Sequence, residues 1–124
     1  MIAGIGIDMV EVDRIAEKIM KENGFKEKLF SEGEIAFCET KKIKAQHYAA
    51  RFAAKEAFLK ATGMGLTLGH NLSHVEVVHD SAGKPEIVLS GIFAQHARQQ
   101  GWNKIHLSIT HVKAMACAVV IVEQ

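Results

Sequence analysis

Two carboxylates in this chain occur where ionised groups are rarely placed. Asp8 closes the apolar run Ile2-Ala3-Gly4-Ile5-Gly6-Ile7, and Glu56 falls four residues after Phe52 and three before Leu59, on the apolar face of a helix. An ionised carboxylate in low-dielectric surroundings is strongly disfavoured unless a cation or several donors compensate it, so two such groups point to a shared positive ligand. Oxygen donors completed by water and phosphate oxygens suit the partly open octahedral shell of Mg²⁺, whereas a closed zinc site would draw on Cys or His. Each residue also has a plainer reading: Asp8 as a cap or turn carboxylate at a strand exit, and Glu56 as an edge-of-core glutamate paired with Lys60 one turn later. Arg51, Lys55 and Lys60 flank Glu56, and a metal together with cationic side chains is what stabilises charge on transferring phosphate oxygens. The plainer alternative for these three is a solvated helix flank.

The elements that must position these groups follow from periodicity. Residues 2 to 10 read as a strand buried on both faces, with Gly4 and Gly6 on the side of Asp8, where they admit either a ligand or another backbone. A helix follows from Glu11 to about Glu22, carrying Val12, Ile15, Ala16 and Ile19 on one stripe and stopped by Asn23-Gly24. Ser31 and Glu34 have the spacing of a capping box, which starts a short helix to Cys38 or Glu39. The best-defined helix spans Lys44 to Thr62, turns Tyr48, Phe52 and Leu59 inward, and stops at Gly63. After a loop punctuated by Gly63, Gly65 and Gly69, residues 73–79 and 86–89 form a hairpin around Ser81-Ala82-Gly83-Lys84-Pro85. Ser90 caps a helix through Gln100, and strands run from Lys104 to Thr110 and from Met115 to Val122. One sheet of mostly antiparallel strands against a long helix makes an α+β fold, in a single small domain over residues 1–124.

The 124 residues carry a formal net charge of +1, so bulk charge gives no support for a nucleic-acid partner. Cys38 and Cys117 lack metal-ligand or C-x-x-C spacing and read as reduced packing residues. The N-terminus has no cleavable leader pattern, and the longest apolar stretch, near Ala114 to Val122, is too short for a bilayer. A cytoplasmic setting with no membrane partner is the expectation.

Three segments carry a resemblance. Gly4-Ile5-Gly6-Ile7-Asp8, Arg51-Phe52-Ala53-Ala54-Lys55-Glu56-Ala57 and Ser108-Ile109-Thr110-His111, with the Gly83-Lys84-Pro85 turn, closely resemble the holo-acyl carrier protein synthase family of 4'-phosphopantetheinyl transferases. The resemblance implies that fold and a transfer of 4'-phosphopantetheine from coenzyme A to a serine of apo acyl carrier protein. Adenosine 3',5'-bisphosphate would be released, in support of fatty acid biosynthesis. It also implies Asp8 and Glu56 as Mg²⁺ ligands, Glu56 as acceptor of the serine proton directly or through water, and Lys60 on the pyrophosphate. Arg51, Lys55 and His111 become contacts to coenzyme A phosphates. Read by itself, His111 is a packed neutral histidine in register with Ile105, Leu107 and Ile109. Met64 stands where the family usually has a hydroxyl, and Thr110 replaces a common serine while keeping its hydroxyl.

Arg14, Lys18 and Lys21 form a basic stripe beside the apolar one, continued past Phe25 by Lys26 and Lys28. Such stripes are usually solvated faces; the resemblance makes this one, with Phe25, a seat for the acidic carrier protein. It further implies a homotrimer with sites at subunit boundaries, in which Asp8 and Glu56 need not share a chain. The alternatives are a non-catalytic coenzyme A or carrier-protein binding module of the same fold, and, more distantly, a structural oligomerisation domain.

Overall fold

In the computed structural model, residues 1–22, 24–65 and 71–124 are described; Asn23 and Gly69, read above as a helix stop and a loop glycine, lie outside them. Strand β1 (Ile2–Glu11) pairs antiparallel with β5 (Met115–Glu123), which pairs antiparallel with β4 (Lys104–His111). Helix α4 (Lys44–Thr62) lies across one face of this sheet and ends, as the sequence predicts, at Gly63 in the left-handed region (φ 72°). Five alanines of α4, at positions 49, 50, 53, 54 and 57, are buried, which makes the helix narrow enough for backbone to approach it.

That approach is made by the glycines of β1. A Cβ on Gly6 would lie 1.9 Å from the Ala57 carbonyl oxygen, and one on Gly4 would lie 1.8 Å from that of Ala61. Of the two readings open for these glycines, close backbone packing is therefore the one realised. The strand continues past Asp8 to Glu11, with Asp8 opposite Ala118 on β5, so Asp8 is not a cap at a strand exit.

Two expectations are corrected. Strand β1 is buried on only one face, because α4 covers the Gly4, Gly6 and Asp8 side while Ile5, Ile7 and Met9 stay 62, 60 and 64 % exposed. The strands also divide into two sheets, since β2 (Val75–His79) and β3 (Pro85–Leu89) pair only with each other. A 3₁₀ turn (Leu72–His74) leads into β2.

Around this frame stand α1 (Val12–Met20), α2 (Phe25–Leu29), α3 (Glu32–Glu39) and α5 (Gly91–Gln100). The capping box forms in full: Ser31 Oγ accepts from the Glu34 N–H, and Glu34 accepts from the Ser31 N–H. Helix α2 was not anticipated, since five residues are too few to show a period. Ser90 makes no side-chain cap on α5; its hydroxyl lies 2.7 Å from His74 Nδ1 instead. Among the described residues no helix is long and apolar enough to cross a membrane.

Candidate active site

Strand β1 and helix α4 of one chain bring Asp8 and Glu56 to the wall of one cavity of about 360 Å³, so the pair meets within a single chain. The Asp8 side chain is 13 % exposed, and its two oxygens differ. Oδ1 accepts from Lys60 Nζ at 3.0 Å, while Oδ2 is buried with no hydrogen-bond partner. Buried polar atoms are nearly always satisfied, so an orphaned carboxylate oxygen beside a second carboxylate marks a place for a cation. Burial, and then the charge of Asp8, hold the Glu56 carboxyl above its ordinary range. Among the described residues no cluster of three or more His, Cys, Asp or Glu gathers for a metal, so an ion here would complete its shell from oxygens of substrate and water.

Lys60 bonds Asp8 and the Ile7 carbonyl rather than Glu56, and its side chain is 57 % exposed. Glu56 lines a second hollow as well, with Lys60, Gly63, Met64 and Gly65. It therefore stands on the ridge between that hollow and the first cavity, whose rim carries Arg14 and Lys18. Lys21 faces a separate hollow with Lys26, and Phe25 is half-buried with Lys18 Nζ 5.5 Å from its ring centre. Met64 is buried in the core.

Lys55 requires a correction, because its position is incompatible with an open phosphate contact. Its side chain is fully buried, and Nζ donates to Glu34 Oε1 (2.8 Å), the Leu72 carbonyl (3.0 Å) and the Val75 carbonyl (2.6 Å). Three donors meet three acceptors, which leaves none for a ligand. Burial draws the ammonium below its usual range, against the opposing pull of Glu34.

Arg51 and His111 form a second centre. Five residues of α-helix rotate Arg51 about 140° from Glu56, onto another side of α4. There Arg51 lies over the Phe37 ring, and Nη2 lies 3.3 Å from His79 Nδ1. His111, at the exposed end of β4, meets His47 edge-on at 5.6 Å rather than packing as a core residue. His47, His79 and Phe37 went unnoticed in the sequence because they lie on α4, β2 and α3 with no shared spacing. Seven histidines in 124 residues were the available signal.

The sequence profile of the 4'-phosphopantetheinyl transferase superfamily matches residues 4–120 of this chain. A holo-[acyl-carrier-protein] synthase of Syntrophus aciditrophicus is 43 % identical over 124 residues, covering 99 % of this chain and 97 % of that protein. The crystal structure of holo-[acyl-carrier-protein] synthase from Neisseria meningitidis superposes with a TM-score of 0.90 at 30 % identity, over the whole of both chains. That of the Bacillus anthracis synthase in complex with CoA (3',5'-ADP) gives 0.80 at 35 % identity, over 98 % of this chain and 96 % of that one.

Proposed function

The chain belongs to the 4'-phosphopantetheinyl transferase superfamily, and we propose that it acts as a holo-acyl carrier protein synthase holding Mg²⁺ between Asp8 and Glu56. It transfers the 4'-phosphopantetheine group of coenzyme A to a serine of apo acyl carrier protein, releasing adenosine 3',5'-bisphosphate, in support of fatty acid biosynthesis. Residues 1–124 form one transferase domain. The observation that carries the metal assignment is Asp8, a partly buried carboxylate with one oxygen on Lys60 and the other buried and unpartnered.

In this reading the serine Oγ bonds to the phosphorus bearing the pantetheine arm, and the bond from that phosphorus to the bridging oxygen breaks. Asp8 and Glu56 would hold the Mg²⁺, which would supply Lewis-acid stabilisation of charge on the phosphate oxygens. Glu56 stands between the two hollows and accepts the serine proton, directly or through a water. Lys60 is exposed enough to leave Asp8 for a pyrophosphate oxygen with little desolvation. Arg14 and Lys18, at the cavity rim, with Lys21 and Phe25, receive the acidic carrier protein.

Arg51 and His111 bind a coenzyme A phosphate in the second centre. Because that centre and the carboxylate pair lie on different sides of α4, one coenzyme A spans them between neighbouring copies, which supports a homotrimer. Two unpaired cysteines suit a reducing, cytoplasmic setting.

The test is a mass measurement on apo carrier protein incubated with coenzyme A and Mg²⁺. A gain of one phosphopantetheine is expected, lost in EDTA and in Asp8→Ala and Glu56→Ala. Full activity in both variants would overturn the metal assignment.

A further inference from the structure

Phe37 of α3 is the floor of a cationic cluster. The His79 ring stacks on it at 5.0 Å and 16°, Arg51 Cζ and Lys41 Nζ lie 4.1 and 4.4 Å from its centre, and His47 meets it edge-on at 5.9 Å. His111 completes the group through His47. The nearby acids are engaged elsewhere. Asp80 Oδ1 accepts the N–H groups of Ala82 and Lys84, Glu76 accepts the Ser31 hydroxyl, and Glu39 is held by Tyr48 and Lys44. Glu34 is bound to Lys55, and the Cys38 thiol, pushed up to about 11 chiefly by burial, stays neutral. Arg51 is 3 % exposed, yet its Nε has no partner.

The contact between Arg51 Nη2 and His79 Nδ1 fixes a protonation state. Guanidinium nitrogens only donate, so His79 Nδ1 must accept and therefore carries no proton in the ligand-free protein. A proton on Nδ1 would break that bond, release Arg51 Nη2, and turn both groups into donors toward an anion.

Resting on the coenzyme A reading above, we propose that His47 and His79 bind the ligand's phosphomonoester with Arg51 and His111, and take up protons as it binds. The cluster thereby matches its charge to a dianion and distinguishes coenzyme A from a nucleotide carrying only the pyrophosphate. In the free protein partial desolvation holds both imidazoles below their ordinary range, although His79 is largely exposed, and Arg51 and Lys41 add to this. His111 and His79 act on His47 in the same direction, and only Asp80 opposes it at His79. A dianion reverses the local potential and favours imidazolium. Linkage gives the sign: binding tightens as pH falls through the range where the free imidazoles are neutral and the bound ones charged. Near pH 6 the phosphomonoester itself begins to gain a proton, which ends the effect.

Calorimetric titration with coenzyme A and with 3'-dephospho-coenzyme A, Mg²⁺ present, in two buffers of different ionisation heat, isolates the phosphomonoester. Between about pH 8 and about pH 6.5 the preference for coenzyme A should grow roughly fivefold or more, with net proton uptake for coenzyme A alone. His79→Lys, a fixed cation at an exposed position, should keep the preference and flatten its pH dependence, and His47→Gln should reduce the proton uptake. A pH-independent preference, equal proton uptake with both nucleotides, or a wild-type pH dependence in His79→Lys would overturn the proposal. Binding of neither nucleotide would instead overturn the coenzyme A reading on which it rests.

Discussion

Glu56 shows what a second carboxylate beside Asp8 costs the folded protein. Its carboxyl is half-buried beside Asp8, and Lys60, the nearby compensating charge, bonds Asp8. A carboxyl raised in the folded state binds more protons than the unfolded chain between its ordinary and raised ranges, so stability falls as pH rises through that window. Glu56→Gln removes the effect. In EDTA near neutral pH the variant should melt roughly 1–3 °C above the parent by differential scanning calorimetry, a small gain because the group is partly solvated. Its transferase activity should fall at least about a hundredfold, since amide nitrogen and oxygen supply neither base nor anionic ligand. A variant melting below the parent in EDTA would show that Glu56 is an ordinary structural carboxylate.

At the scale of elements, Lys55 and Gly6 do the positioning. Lys55 joins α4 to α3 through Glu34 and to the segment entering β2 through two carbonyls, and Glu34 Oε2 also accepts the Val77 N–H. Lys55→Met would leave Glu34 buried and uncompensated, a loss of about 3 kcal/mol or more, read as a fall in Tm of roughly 10 °C or more. Lys55→Arg should not rescue it, because a planar guanidinium cannot replace a compact ammonium among three converging acceptors. Gly6→Ala should be comparably damaging, since its methyl would collide with the Ala57 carbonyl and drive β1, with Asp8, away from α4. Circular dichroism melts of the three variants check these outcomes. The elements themselves were legible where local chemistry decides: the Ser31 and Glu34 box, the alanine-rich course of α4, and the Gly63 stop. Asp8 and Glu56 were legible because a carboxylate interrupts an apolar pattern. The role of Lys55 was not, because its acceptors come from residues 34, 72 and 75, and no spacing along α4 reveals them. The imidazoles of residues 47 and 79 were hidden for the same reason, being joined to Arg51 and His111 only by tertiary contact.

For the whole molecule, the open face of the large sheet is the feature to explain. By register, Ile5, Ile7 and Met9 of β1 lie opposite Ile121, Val119 and Cys117 of β5, which makes one continuous apolar surface. Beyond it the face turns polar with His106, Ser108 and Thr110 of β4. An apolar patch rimmed by polar side chains marks a protein interface. Met9 and Met115 also line the Asp8 cavity, so whatever covers the sheet borders the site. The homotrimer proposed above would account for both facts, and it predicts a particle of three times the 13.6 kDa of one chain by size exclusion with light scattering. Ile7→Glu places a charge in the middle of the patch yet alters nothing buried within the chain, so far-UV circular dichroism should be unchanged while the particle becomes monomeric. Because the carboxylate pair and the Arg51 centre lie on different sides of α4, the monomer should bind coenzyme A at least about tenfold more weakly. Retention of the parental mass by Ile7→Glu would show that this face is not the interface, and full coenzyme A affinity in a monomer would show that each chain holds a complete site.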